Sequence, residues 1–246
     1  GGSLPGGAGL DLSATALTVG DSSANDAADA NAGTDSNNIA LSLNTAGTTI
    51  GAAGTIIGDA DLDASASATG TKADTTADVD LGQAGAIDLA GQTITFGAAG
   101  TVGANSRVGT TAGAFTVDGD ASADTIVDRV YGLGDGTGNV TLGGAGVIDA
   151  DALATNTATA AATLADGAVN ATINNDVVEA INATAVTTGA DLALDADAAS
   201  TQTAVASNIG AVSGAHAATV SATVGASDVV KGITSTAINA GGDVSQ

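Results

Sequence analysis

The chain reads as an all-β protein, a parallel β-helix (β-solenoid) on a repeat of 46 residues, and three observations point there. A heptapeptide recurs at constant spacing: Thr49-Ile50-Gly51-Ala52-Ala53-Gly54-Thr55, Thr95-Phe96-Gly97-Ala98-Ala99-Gly100-Thr101 and Thr141-Leu142-Gly143-Gly144-Ala145-Gly146-Val147 begin 46 residues apart, at 49, 95 and 141. A fixed period of this size marks stacked units, each burying its apolar face on the next. Short apolar runs alternate with Thr, Asp and Ser, the period of a half-buried strand, and Gly, Asn and Asp clusters separate them. The acidic residues are Asp apart from Glu179, and Asp favours turns over helix surfaces. A β-sandwich filament subunit is the alternative, but it gives no reason for one heptapeptide to return in one register.

The elements follow in order. Leu10–Leu12, Ala16–Val19 and Ile39–Leu43 read as strands at the front, and residues 21–38, almost entirely Ser, Ala, Asn, Asp and Gly, as a loop or insertion. Gly6-Gly7-Ala8-Gly9 reads as a heptapeptide echo one residue out of phase. Val79–Leu81, Ile87–Leu89, Thr93–Phe96, Ala114–Val117, Thr125–Val130 and Val140–Leu142 continue the pattern, and Ser65–Gly70 reads as loop-like. Asn174–Ala183 has a helical alternative but sits in phase with earlier strands, so it is read as strand. Asp191–Leu194, Ala204–Val212, Thr219–Val224 and Val229–Ile233 close the chain, and Thr187-Thr188-Gly189-Ala190 is a weaker fourth echo. The 246 residues form one continuous domain. We read the repeat as two coils of about 23 residues, hence about 11 coils and a rod of about 50 Å. Ile50, Phe96 and Leu142 should then stack in one interior column at every second coil, with Gly51, Gly97 and Gly143 at the bends after them. An aspartate at Phe96 should be costly and one at Ala68 cheap.

Composition bounds the function. Only Phe96, Phe115 and Tyr131 are aromatic, so Ala, Val, Ile, Leu and Thr must fill the interior, which suits a narrow core. Apolar content of 44 % with 13 % charged residues argues against disorder. The net charge is −23, and Lys72, Arg107, Arg129 and Lys231 are the only cations of lysine or arginine type. That provides no basic footprint for nucleic acid, and an anionic membrane surface repels it. No apolar run approaches a membrane span. Without Cys there are no disulfides, thiol nucleophiles or cysteine metal sites. The absence of Met points to a processed chain or an excised fragment.

The chemistry-bearing motifs are few. Gly119-Asp120-Ala121-Ser122-Ala123-Asp124-Thr125-Ile126-Val127 is similar to a degenerate calcium nonapeptide, with Asp124 and Ile126 at its informative places, and Gly134-Asp135-Gly136 lies nearby. Asp59, Asp61 and Asp63 share one face of a strand. These six, Asp59, Asp61, Asp63, Asp120, Asp124 and Asp135, are the candidate Ca²⁺ ligands; a solvated acidic face and polar turns account for the same pattern. On the calcium reading, calcium raises stability. His216 is the single histidine and has no triad or zinc partners around it. Gly132-Leu133-Gly134-Asp135-Gly136 lacks the lysine and the strand–loop–helix setting of a phosphate loop. The three sequons, at Asn139, Asn170 and Asn182, arise by chance in such a composition. Four basic residues and three aromatics are too few for a sugar-cleaving cleft or for lyase chemistry. No catalytic residues are assigned, and a non-enzymatic role is expected.

The phrase Gly85-Ala86-Ile87-Asp88-Leu89-Ala90-Gly91-Gln92-Thr93-Ile94-Thr95-Phe96-Gly97, and the Ala/Thr/Gly/Asp/Asn alphabet around it, resembles the passenger regions of bacterial autotransporter and surface-layer proteins. That resemblance implies a right-handed parallel β-helix outside a prokaryotic cell, a secreted coat, adhesin or filament protein. It assigns no site residues. The partners expected are other copies of the chain, joined head-to-tail or laterally, because coil ends without a polar cap expose strand edges. The alternative is a calcium-dependent adhesin.

Overall fold

The computed structural model describes residues 2–18, 27–34, 37–43, 48–163, 168–210, 219–225, 229–234 and 236–246. Among the described residues the chain is all β, with no helix. Its strands form three sheets, all parallel. Sheet A takes Gly2–Thr18, Gly54–Gly70, Gly100–Thr116, Gly146–Ala162, Leu192–Asn208 and the short Val244–Ser245, in that spatial order. Sheet B takes Ala28–Thr34 with Asn38–Ser42, then Thr75–Asp88, Ala121–Leu133, Ala168–Ile181, and Thr219–Val224 with Val229–Ile233. Sheet C takes Thr49–Ile50, Thr93–Phe96, Asn139–Leu142, Ala185–Thr188 and Ala237–Ala240. The chain visits A, B and C and returns to A beside the strand it left. We call one such circuit a turn.

The register corrects the expected coil size. Asp59 and Asn105, 46 residues apart, are hydrogen-bonded across neighbouring strands of sheet A, so one repeat is one turn and not two coils. At about 4.8 Å per strand the five turns rise about 24 Å, half the length expected. Sequence periodicity is the same for one or two coils per repeat; only the identity of the bonded neighbour decides. The long strands of sheet A also hid themselves. Gly54–Gly70 is one strand of 17 residues in which Ala60, Leu62, Ala64, Ala66 and Ala68 face inward and Asp59, Asp61, Asp63 and Ser65 outward. Ser65–Gly70 is therefore not loop-like, and Ala68 is wholly buried. Likewise Ala28–Thr34, inside the expected loop of 21–38, is strand, paired in register with Thr75–Leu81. Residues 21–26 and 35–36 of that loop lie outside the described residues. Gly6–Gly9 pairs with Gly58–Asp61 in mid-strand, so it is no echo of the corner heptapeptide. Asn174–Ile181 is strand as read.

The heptapeptide is the corner from sheet C to sheet A, and each of its glycines has a separate reason. A Cβ on Gly97 would stand 2.5 Å from the Gly51 carbonyl oxygen one turn earlier, and one on Gly143 would stand 2.7 Å from that of Gly97. The corners thus stack backbone on backbone. A Cβ on Gly100 would lie 2.7 Å from Phe96 and 2.6 Å from Leu142; this second glycine makes room for the large side chain of the strand before it. Ile50, Phe96, Leu142 and Thr188 form one ladder on successive turns, with Phe96 and Leu142 buried. Thr188 takes the inward position in the fourth echo by donating its hydroxyl to the Ala190 carbonyl at 2.8 Å.

The interior has two lobes. In one, sheets A and B face each other across alanines, with Leu62, Val79, Leu81, Val127 and Ile173 among them. In the other, all three sheets meet around Ile56, Phe96, Leu133, Leu142, Ile148 and Ile181. Small side chains fill the narrow lobe and large ones the wider. Between the lobes lies a waist. A Cβ on Gly58 would come within 2.5 Å of the Ala86 carbonyl, and one on Gly132 within 2.6 Å of the carbonyls of both Ala104 and Ala180. The glycine is on sheet A in the second turn and on sheet B in the third, and its opposite number is alanine in both. Gly134, Gly136 and Gly138 carry positive φ values in the connection from sheet B to sheet C. That is why the chain reads G-x-G-x-G there: left-handed backbone favours glycine.

Candidate functional site

The six candidate calcium ligands fall in three places. Asp59, Asp61 and Asp63 project from the outer face of sheet A on the second turn and are exposed. The next turn sets Asn105, Arg107 and Gly109 beside them. Asn105 donates to Asp59 Oδ1 at 3.3 Å, and the Asp63 carboxylate lies over Gly109, where a side chain would collide with it. Asp120 and Asp124 stand at the start of the third-turn strand of sheet B. Asp120 accepts the Ala168 amide at 2.9 Å, and its own amide donates to Asp74 at 3.0 Å. This ladder of carboxylate-to-amide bonds ties three turns together. Asp124 pairs in register with Asp78, whose carboxyl is raised by burial and by Asp124, Asp29 and Asp80. Asp135 closes a local turn, accepting the Thr137 amide at 3.2 Å and hydroxyl at 2.7 Å. Among the described residues no three His, Cys, Asp or Glu side chains converge as a metal-holding group. His216 lies outside the described residues.

A further crowded group of carboxylates lies on sheet A. Asp149 pairs with Asp195, and Asp151 with Asp197, on adjacent strands of sheet A, a square of like charges about 4.8 Å apart across the strands. Burial raises the Asp151 carboxyl, and Asp149, Asp197 and Asp195 raise it further. A carboxyl raised in the folded state destabilises it at neutral pH, and that cost disappears as pH falls through the folded pKa. Asp151→Asn is therefore expected to raise the melting temperature at pH 7, with the gain shrinking toward zero in acid. A melting series from pH 7 to pH 3 checks this, and a gain that persists unchanged in acid would refute it.

The structure also reveals a buried polar cluster that the sequence did not suggest. Arg129 Nη2 meets Glu179 Oε2 at 3.0 Å, and Nη1 donates to the Asp135 carbonyl at 3.0 Å. Asn182 Nδ2 donates to the same Glu179 oxygen at 2.7 Å. The guanidinium lies 4.9 Å from the centroid of the Tyr131 ring, within range of a cation–π contact. That ring is buried and fills the space a side chain on Gly85 would take. Burial alone would raise the Glu179 carboxyl; the polar groups of Thr234, Asn182 and Arg129 outweigh it and hold the carboxyl below its usual range. Its stabilising share is thus present at neutral pH and lost as pH falls through the folded pKa, opposite in sign to that of Asp151. Glu179 Oε2 and both terminal nitrogens of Arg129 have partners, so the cluster acts as a fastening across sheet B. The only clue in the sequence was singularity: the sole glutamate and the sole tyrosine.

The last turn presents the clearest uncovered apolar surface. Val169, Ile173 and Val178 of the fourth turn are 0–1 % exposed. Their register partners on the fifth, Val220, Val224 and Val230, face the same way and are 45 %, 47 % and 41 % exposed. Among the described residues the inward face of this turn lacks a neighbour above it. Along Leu192–Asn208 only Leu192 and Ala193 carry a further strand, Val244–Ser245.

No protein-family model matches the chain, and no significant match was found among curated proteins or solved structures.

Proposed function

We propose that this chain is a β-solenoid acting as an extracellular structural subunit of a prokaryotic surface, a fibre, filament or coat component that self-associates without catalysis. The observation that carries this is the stack itself: three sheets in which every pairing is parallel, ending in a turn whose inward valines stand open. A strand edge above an uncovered core is a template for more of the same. The flanks work the other way, since rows of aspartate on sheets A and B and a net charge of −23 keep them apart in water at low salt. Sedimentation velocity across a concentration series, with negative-stain images of the same samples, tests the reading. Elongated particles that grow with concentration are expected; a single monomeric species throughout would sink it. Localisation is tested by fractionating cells that produce the protein and probing the surface for it.

A second reading, a calcium-dependent adhesin, draws on the aspartate square of Asp149, Asp151, Asp195 and Asp197 and on the rows at Asp59–Asp63 and Asp120–Asp124. A cation that binds only the folded state stabilises it by roughly 2.7 kcal/mol at one hundred times its Kd. Melting in millimolar calcium against excess chelator should then show a rise that magnesium at equal concentration does not match. An equal rise with both ions identifies charge screening alone.

A further inference from the structure

Resting on the self-association reading, we propose that the partner of the open fifth turn is the first turn of a second copy, docked head-to-tail so that sheets A, B and C each continue in register.

The two end turns match each other better than either matches the middle. The first turn runs from Gly2 to its bonded partner Gly54, and the last from Leu192 to Val244, 52 residues each, against 46 in the second and third turns. Both place the surplus in the same two positions. One is the connection from sheet A to sheet B, from Thr18 to Ala28 and from Asn208 to Thr219, where the inner turns step from Gly70 to Thr75 and from Thr116 to Ala121. The other is a break in sheet B, after Thr34 and after Val224, where the second, third and fourth turns run one strand. A first turn laid on a fifth turn sets enlarged connection on enlarged connection. Four inward ladder positions then pair apolar with apolar, Ala28 on Val220, Ala32 on Val224, Leu41 on Ile233 and Ile50 on Ala240, while Val230 falls on Asn38.

The alternative of two fifth turns meeting about a two-fold axis runs each strand antiparallel to the one it meets, so none of the three sheets would continue in its parallel register. Head-to-tail contact keeps like on like, and being heterologous along one axis it does not close, so it propagates. At the start of sheet A both ends are guarded. Val244–Ser245 already covers Leu192 and Ala193, and Pro5, which has no amide hydrogen, lies on the first-turn edge in the ladder of Asp195, two residues beyond Ala193. The joint therefore runs from Gly6 on Ala196 onward.

The test is the double variant Val220→Lys/Val224→Lys, compared with the unaltered chain by sedimentation and negative stain. Both positions are nearly half exposed, so lysines reach water in the single chain but are buried unpaired in the joint. Circular dichroism and melting confirm that the variant folds. The variant should stay monomeric where the unaltered chain elongates, at least a tenfold loss of association. Because its first turn is intact, it should also shorten wild-type fibres when mixed in at low ratio, as a one-ended chain terminator. If the variant will not fold, the single variant Val224→Lys, whose ladder partner on the first turn is Ala32, provides the same comparison. Association of the variant equal to wild type overturns the turn-on-turn joint while self-association itself stands. A wild-type chain that stays monomeric overturns both.

Discussion

Phe96→Asp is expected to unfold the protein at room temperature. Phe96 is 1 % exposed and stands in the ladder between Ile50 and Leu142, in the lobe where three sheets share one core. Removing a buried phenylalanine costs about 3–5 kcal/mol through lost transfer energy and the cavity left behind. The new carboxylate adds a buried polar group with no cationic partner within the core, a further few kcal/mol even after it takes up a proton. The sum reaches the whole stability of an ordinary domain, about 5–15 kcal/mol. Ala68→Asp, cheap on the sequence reading, belongs with it: Ala68 is wholly buried in the narrow lobe between sheets A and B, where nothing offers room. Thermal melting of both variants against Ala52→Asp, at an exposed corner position, settles the ranking. A folded Phe96→Asp with a melting temperature near wild type would remove Phe96 from the core.

Gly132→Val is expected to be nearly as damaging for a different reason. At the waist the backbones of sheets A and B nearly touch, and a Cβ on Gly132 would lie 2.6 Å from two carbonyl oxygens and 3.0 Å from a third, that of Asp151. None of these is the end of a flexible side chain that can swing away. The sheets must part, opening both lobes at once, so the cost should exceed the roughly 1–3 kcal/mol of ordinary overpacking. Gly132→Ala should cost a substantial part of it. Gly136→Ala, where the only neighbour is the Asn182 side-chain amide at 3.9 Å, pays only for its positive φ of 104°, about 1 kcal/mol or more. Chemical denaturation of the three variants tests this order. Gly132→Val no less stable than Gly136→Ala would mean the sheets are not in contact at the waist.

The period was legible because stacking in register repeats its tightest constraint, the corner. There a side chain on Gly97 or Gly143 would strike the backbone of the turn before, and one on Gly100 would strike Phe96. No such constraint acts along the sheet A strands, where Ala, Ser, Thr and Asp alternate. That alternation marks a strand only when a facing sheet is close enough for alanine to fill the gap. Ser65–Gly70 and Ala28–Thr34 therefore carry no strand signal of their own. The outward carboxylates were legible as acidic rows, but not which would meet. Asp149 with Asp195, and Asp120 with the Ala168 amide, are neighbours only because of the turn length. Arg129 and Glu179, 50 residues apart, meet only because sheet B is offset by 48 and not 46 between the third and fourth turns.

By itself the sequence determined the β class, the spacing of the repeat, the inward column through Phe96 and Leu142, and the absence of a basic surface. Each of these follows from local period, side-chain size or counted charge. Tertiary structure alone decided that one repeat makes one turn, that the core divides at a glycine–alanine waist, and that Arg129 and Glu179 pair. It also decided that the inward valines of the last turn stand open. All four depend on which strand lies beside which, and that is set by distances between segments far apart in the chain.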